Sequence, residues 1–200
     1  LHETEEGTLI AMPYFRERGF TQETIKKWQL GYSPEGWESF VQAAKAKGYK
    51  TEFLLDAGLI KARDNGTHYN LFRHRVIFPI HSVVGKVIGF GGRKMSSTDP
   101  SPKYVNSPET ELYKKSDVLF GLFQAKNAIK KLDKVLLCEG YTDVITLHQA
   151  GIENVVASSG TALTPGQIKL VKRFTHDVTV IYDGDAAGIK ASMRGIDLLL

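Results

Sequence analysis

Two short stretches place acids where a strand would end. In 134–140, KVLLCEG, an apolar run stops on Glu139 and a glycine, and Asp143 follows one helical turn later. In 178–185, VTVIYDGD, a second run stops on Asp183, Gly184 and Asp185. Residues four apart on a helix share a face, so Asp143 can look back toward the end of the first run. Carboxylates gathered at one edge repel: two unit charges ~4 Å apart cost ~4 kcal/mol at an effective dielectric near 20, unless a cation or protons neutralise them. Hard oxygen donors without histidine or cysteine beside them select Mg2+ or Mn2+ rather than zinc. A strand returns to the same face at every second residue, so Asp183 and Asp185 are expected to flank one ion or share two. Gly140 and Gly184 leave room for a phosphate at the backbone. Taken singly, such an acid serves equally well as a helix N-cap, Asp185 before Ala-Ala-Gly included. An acid-Gly after one strand together with Asp-Gly-Asp after another favours the metal site.

The elements that must position these acids follow from period and punctuation. Residues 134–140 read as a strand, 141–151 as a helix ended by glycine, and 154–160 as a second strand. A helix over 164–175 starts near Pro165, a third strand runs over 178–185, and a third helix follows. This alternation predicts a parallel, doubly wound sheet with right-handed crossovers and ligands beyond the carboxyl ends of its strands.

Upstream the pattern is mixed. Residues 21–30 read as a helix with Thr21 as N-cap and Gly31 past its end; 40–47 and 51–57 are similar, closed by Gly48 and Gly58. Asp64-Asn65-Gly66 is a hairpin turn signal, and 75–82 and 86–90 read as two antiparallel strands. Pro79 predicts that the first of these is an edge strand or kinked. Residues 95–102, MSSTDPSP, are loop, and 121–132 return to helix. The fold class is therefore α/β: an α+β part over 1–132, then a parallel βαβαβ sheet over 133–200, truncated at the C-terminus. The chain opens on Leu1 rather than Met and ends on three leucines in mid-helix, which reads as a fragment.

At 200 residues, 42% hydrophobic and 24% charged, the chain can bury a core. Its single cysteine, Cys138, excludes an internal disulfide and a cysteine-rich zinc site. No apolar run reaches the ~18–20 residues that span a bilayer and no signal-peptide pattern opens the chain, so a cytoplasmic protein without a membrane partner is expected. The net charge of +4 is unevenly spread: residues 61–134 hold 14 Lys and Arg against 6 Asp and Glu, while 1–60 and 135–200 are each slightly acidic. A charged block is commonly a solvated face. Here its cations come with Gly, Asn and aromatic residues, as in a nucleic-acid surface.

At these residues the sequence resembles a known family. EGYTDV (139–144) with DGDAAG (183–188) resembles the Toprim fold shared by bacterial primases, type IA and II topoisomerases, recombination mediators and some nucleases. YFRERGFT (14–21), FRHRVIFPI (72–80), GKVIGFGGR (85–93), PKYVNSPET (102–110) and LYKKSDVLFGL (112–122) resemble, in that order, the RNA-polymerase core of the bacterial replicative DNA primase, the DnaG type. The resemblance runs across nearly the whole chain. It implies DNA-templated synthesis of short RNA primers for replication by metal-dependent nucleotidyl transfer. Glu139, Asp183 and Asp185 match the family's catalytic metal carboxylates, and Asp143 an acid that supports them. Arg18, Arg93, Lys103, Asn106 and Lys115 match the basic cleft for template and nucleotide phosphates. The implied cofactors are Mg2+ or Mn2+, two ions, with no zinc in this stretch. The implied partners are single-stranded DNA, ribonucleoside triphosphates, and a replicative helicase reached through a C-terminal module outside the chain. An N-terminal zinc module and a further acidic motif also lie outside it.

Two other classes use part of the same pattern. A Toprim nuclease or topoisomerase would break a strand with similar carboxylates, and a non-catalytic DNA-binding clamp would keep the basic face without needing all four acids. Cys138 reads as core. His68, His74, His81, His148 and His176 show no metal-ligand spacing. Trp28 and Trp37 read as packing, although an aromatic beside a basic cleft can stack on a base. Gly91 and Gly92 read as a place where the backbone passes close to nucleic acid.

Overall fold

The structure, a computed structural model, describes residues 1, 4–159, 163–184, 186, 188, 189, 193 and 195. The chain packs as two compact units, Leu1–Pro79 with Ile88–Tyr113, and Ile80–Val87 with Lys114–Leu200.

In the first unit a π-helical turn, Gly7–Ala11, leads directly into α1 (Met12–Glu17). The helix α2 (Gln22–Lys27) starts as expected, with the Thr21 side chain accepting from the Thr24 N–H. It closes one turn earlier than predicted, on Gln29 at φ 54° rather than on a glycine. Gly31 instead opens β1 (Gly31–Ser33). The helices α3 (Ser39–Ala46) and α4 (Thr51–Asp56) follow, and β2 (Ile60–Ala62) and β3 (His68–Asn70) pair across the Asp64-Asn65-Gly66 turn. Val41, Ala44, Leu54 and Ile60 form a small core under these elements.

A four-stranded sheet, β1-β4-β5-β6, is formed with β4 (Arg75–His81), β5 (Val87–Lys94) and β6 (Tyr104–Asn106). The expectation that Pro79 marks an edge strand is corrected, because β4 lies between β1 and β5. The register explains why proline is tolerated: β1 covers β4 only from Arg75 to Ile77, so Pro79 stands past the end of that pairing. Phe15, against Phe20 and Phe78, anchors α1 to the sheet with ring centroids 6.1 and 6.4 Å apart.

The second unit is the predicted parallel arrangement. The helix α5 (Leu122–Leu132) precedes β7 (Val135–Cys138), α6 (Tyr141–Gln149), β8 (Val155–Ala157), α7 (Pro165–Val171) and β9 (Val178–Val180). The strand order is β8-β7-β9, and both neighbours run parallel to β7. β7 and β8 are apolar because helices cover the sheet, as in other parallel sheets. Leu122, Ala125 and Ile129, spaced to share one face of α5, pack with Leu137, Val156, Ile168 and Val171 in the core. α7 begins on Thr164, with Pro165 at its first position as predicted. The expected third helix, 186–200, lies mostly outside the described residues. No described helix is long and apolar enough to cross a membrane.

Candidate active site

Glu139 follows directly on β7, and its side chain turns toward the end of β9. Its Oε1 accepts the Asp183 N–H at 3.0 Å, so the two acid-bearing strand ends are tied together. Gly188 lies against the same junction: a Cβ there would meet the Asp183 carbonyl oxygen at 2.1 Å and Glu139 Oε1 at 2.9 Å. Only glycine allows that approach. Asp143 sits in the first turn of α6 and does look back, its Oδ2 accepting the Gly140 N–H at 3.0 Å. That bond caps the helix and orients the Glu139-Gly140 corner. The loop after β8 joins the same edge, since the Ser159 N–H donates to the Glu139 carbonyl at 3.2 Å. Burial pushes the Tyr182 phenol up; a hydrogen bond from Ser158 opposes this and the Glu139 charge adds to it.

One expectation changes. The strand is expected to run through Asp185, but β9 is Val178–Val180 and Asp183 stands in the segment beyond it. Pairing stops with the Ile181 N–H on the Leu137 carbonyl, because β7 itself ends at Cys138. The carboxylate of Glu139 then takes the N–H that a longer strand would have used. Asp185 lies outside the described residues. Among the described residues no group of three or more His, Cys, Asp or Glu could hold a metal ion. The carboxylate oxygens recorded at this edge, Glu139 Oε1 and Asp143 Oδ2, each accept a backbone N–H. The nearest thiol, Cys138, is buried and pushed up to about 11 by burial, with the Asp143 charge adding, which makes it a core residue as expected.

The basic residues fall into separate groups. Arg18, just after α1, and Arg93, on β5, lie over the same ring: their guanidinium carbons are 5.0 and 4.7 Å from the Tyr14 centroid. Arg93 Nε is buried with no hydrogen-bond partner among the described residues, and the buried Tyr14 hydroxyl lies within reach of the Arg18 guanidinium. Burial pushes the Tyr14 phenol up, against the charges of Arg93 and Arg18. The β5–β6 register sets Arg93 opposite Tyr104 and Gly91 opposite Asn106, which brings Asn106 and Lys103 to the same ladder. Lys115 belongs to the second unit, in the 3-10 turn Lys115–Asp117. Gln167 holds this turn, its Nε2 donating to the Lys115 and Val118 carbonyls at 3.1 and 2.9 Å.

A further cluster escaped the sequence reading. Trp28 is buried packing, as expected, but Trp37 is 53% exposed. The guanidinium of Arg73 lies 3.6 Å from its ring centroid, and Arg63 lies 5.4 Å from Trp37 and 5.2 Å from Tyr69. The β2–β3 hairpin carries Arg63 and Tyr69 to the tryptophan, a meeting that no spacing in the sequence announces. The reading of Gly92 as an opening for nucleic acid is also corrected. It is buried, and a Cβ there would meet Phe72 at 2.6 Å and the Arg75 side chain at 3.0 Å.

A parallel sheet with acids at its carboxyl edge, set after a basic α+β half, defines a Toprim-like protein, and the family described as Toprim-like matches residues 136–200. The family described as DNA primase catalytic core, N-terminal domain, matches residues 1–126. The chain belongs to this DNA primase catalytic core family. It is 49% identical over 190 residues to a DNA primase of Clostridium acetobutylicum, covering 94% of this chain and 31% of that protein. It is 41% identical over 192 residues to that of Deinococcus radiodurans, covering 95% and 33%. The chain thus spans about a third of the length of these curated relatives. Among solved structures, a DNA primase domain from Pseudomonas aeruginosa superposes with TM-score 0.91 at 38% identity, covering 99% of this chain and 61% of that one. A DnaG primase catalytic domain bound to ssDNA superposes with TM-score 0.84 at 39% identity, covering 96% and 59%.

Proposed function

We propose that the chain carries the RNA-polymerase core of a bacterial DNA primase, which synthesises short RNA primers on single-stranded DNA for replication by metal-dependent nucleotidyl transfer. The observation that carries this reading is the bond from the Asp183 backbone to the Glu139 carboxylate, which brings two acids to one edge of the sheet. Glu139 and Asp183, with Asp143 and Asp185, would hold Mg2+ or Mn2+, two ions being the expected number; the hard-oxygen donors give no reason to invoke zinc. Bound there, a divalent ion supplies a lowered pKa for the ribose 3′-hydroxyl and shields the charge of the leaving pyrophosphate.

The protein's own part is positioning and charge. The Asp183 N–H fixes the Glu139 carboxylate, and Asp143 fixes the corner that bears it. Arg18 and Arg93 are held over Tyr14, and their guanidinium groups supply the charge suited to phosphate oxygens. Lys103, Asn106 and Lys115 add further donors for template and ribonucleoside triphosphate. Arg18, Arg93, Lys103 and Asn106 lie in the first compact unit, and Lys115 lies with the metal-holding residues in the second; along the sequence the reading divides the chain into subdomains 1–132 and 133–200. The exposed Trp37 with Arg63 and Arg73 suits a single-stranded template, on which bases stack and phosphates pair with arginine. The ssDNA-bound primase domain described above supports that partner class. A replicative helicase would be reached through a C-terminal module outside the chain, and the setting is the cytoplasm.

The test is primer synthesis from ribonucleotides on single-stranded DNA, with the intact protein and its Asp183→Ala variant. Activity should fall at least as far as the ~10–100-fold that loss of even an outer-sphere metal partner costs. Activity within a few-fold of wild type would remove Asp183 from the metal site. Metal-dependent cleavage of the DNA without synthesis would favour the nuclease reading instead.

A further inference from the structure

Arg75 opens β4, and its side chain is 3% exposed, yet none of its hydrogen-bond acceptors is a carboxylate. Nη1 donates to the Gly92 carbonyl at 3.1 Å and the Lys103 carbonyl at 3.3 Å. Nη2 donates to Ser101 Oγ at 2.7 Å and the Pro102 carbonyl at 3.0 Å. A second cation completes the arrangement: Lys94 Nζ donates to the Asp99 carbonyl and, at 2.7 Å, to the Ser101 carbonyl. The Lys103 carbonyl is held twice, since the Lys94 N–H donates to it at 3.0 Å. The Asp99 carboxylate makes no direct hydrogen bond to the guanidinium; it accepts from Ser101 N–H and Oγ at 2.8 and 2.9 Å and acts on Arg75 and Lys94 only through its charge.

This is an unusual use of a buried charge. A guanidinium taken out of water without a directly bonded carboxylate is costly, and three of its four acceptors, two carbonyls and a hydroxyl, belong to one irregular segment, 101–103. That segment has little regular backbone pairing before β6 to hold it, and it delivers Lys103 into the β5–β6 ladder across from Lys94, next to the Arg93–Tyr104 pair. Gly92 makes room for the stem, because any side chain there would press on the Arg75 methylenes and on Phe72. The guanidinium fork is rigid and planar, so it sets the relative position of several carbonyls at once, which an ammonium on a flexible stem cannot do.

We infer that Arg75 is a positioning residue: from inside the unit it holds the 101–103 segment and so fixes the backbone from which Lys103 projects, one residue before Tyr104, the ladder partner of Arg93. The inference rests on the reading of Lys103 as a phosphate contact, and the measurements separate the two. Arg75→Met, Arg75→Lys, Lys103→Ala and the Arg75→Met/Lys103→Ala double variant of the intact protein are compared. Each is titrated with a fluorescein-labelled oligothymidylate by anisotropy at low salt. Amide hydrogen exchange over 94–104 and thermal unfolding are followed in parallel.

Lys103→Ala should weaken binding about tenfold, the loss of one charge-assisted phosphate contact, without changing exchange. Arg75→Met should weaken binding to the same degree and speed exchange at 99–103, and the double variant should be no weaker than either single one. Arg75→Lys should lie between Arg75→Met and wild type. Additive losses in the double variant would overturn the inference by making Arg75 an independent contact. Unchanged exchange in Arg75→Met would overturn it whatever the binding. If Lys103→Ala binds as wild type, the phosphate role of Lys103 fails, and the inference with it, even where exchange has quickened. Should Arg75→Met not fold, Ser101→Ala deletes one acceptor of the guanidinium and carries the same comparison with a smaller effect.

Discussion

Gly188 gives the most direct test of the carboxylate junction, because it touches both acid-bearing ends without being an acid itself. In Gly188→Ala the new Cβ would lie 2.1 Å from the Asp183 carbonyl oxygen, well inside the 3.4 Å at which ordinary contact begins, and 2.9 Å from Glu139 Oε1. The carbonyl belongs to backbone and cannot swing aside as a side-chain tip would. Relief therefore requires a displacement of about 1 Å between the Asp183 segment and the Glu139 corner, and the 3.0 Å bond between them is the contact that must lengthen. A misplacement of ~1 Å at a reacting centre lowers rate by about a hundredfold. Overpacking of this kind costs ~1–3 kcal/mol of stability, so the variant should still fold. Primer synthesis should fall by about two orders of magnitude while the unfolding temperature drops only a few degrees. Full activity at an unchanged unfolding temperature would show that the two strand ends need not be held in this register, and the argument from their junction would collapse.

Two other outcomes follow from particular side chains. Trp37→Ala should leave the unfolding temperature nearly unchanged, since the ring is 53% exposed, and weaken single-stranded DNA binding by ~1–3 kcal/mol for one stacked base; equal affinity in an anisotropy titration would reduce the Trp37 cluster to a solvated surface. Burial lowers the His81 pKa below 6.5, so the proton is taken up first by the unfolded chain. The stability from the neutral ring is complete above 6.5 and is lost as pH falls through that range, and His81→Asn should flatten this part of the stability curve in chemical denaturation from pH 7.5 to 5.

The parallel half was legible because its signals are local. Apolar runs of strand length, Thr164-Pro165 at a helix start and glycine-bearing turns all act within a few residues, and the structure keeps β7, α6, β8 and α7 where the spacing puts them. The π-helical entry at Gly7–Ala11 and the three-residue strands β1 and β6 carry no such period, being too short to repeat. Pro79 shows a related limit. Its position within a strand is visible in the sequence, but the length of the neighbour that leaves it uncovered is not.

The candidate site divides in the same way. That acids follow the first and third strands, and that cations crowd 61–134, can be read from residue types alone, because charge and strand-end position are local properties. What each carboxylate does is a matter of distance in space. Glu139 takes a backbone N–H from a residue 44 positions away, and Asp143 spends an oxygen on its own helix end. Arg18 and Arg93 meet over one tyrosine, and Arg73 and Arg63 over one tryptophan, only after strands and hairpins have paired. Arg75 shows the limit most clearly. Among the arginines of the basic block it looks like another solvent-facing cation, yet it is withdrawn to 3% exposure and bonded to carbonyls. The sequence by itself determined which chemistry is present and on which elements it rides. The tertiary structure alone decided which groups face a ligand and which are used to hold others, since burial and hydrogen-bond partners depend on contacts between residues far apart in the chain.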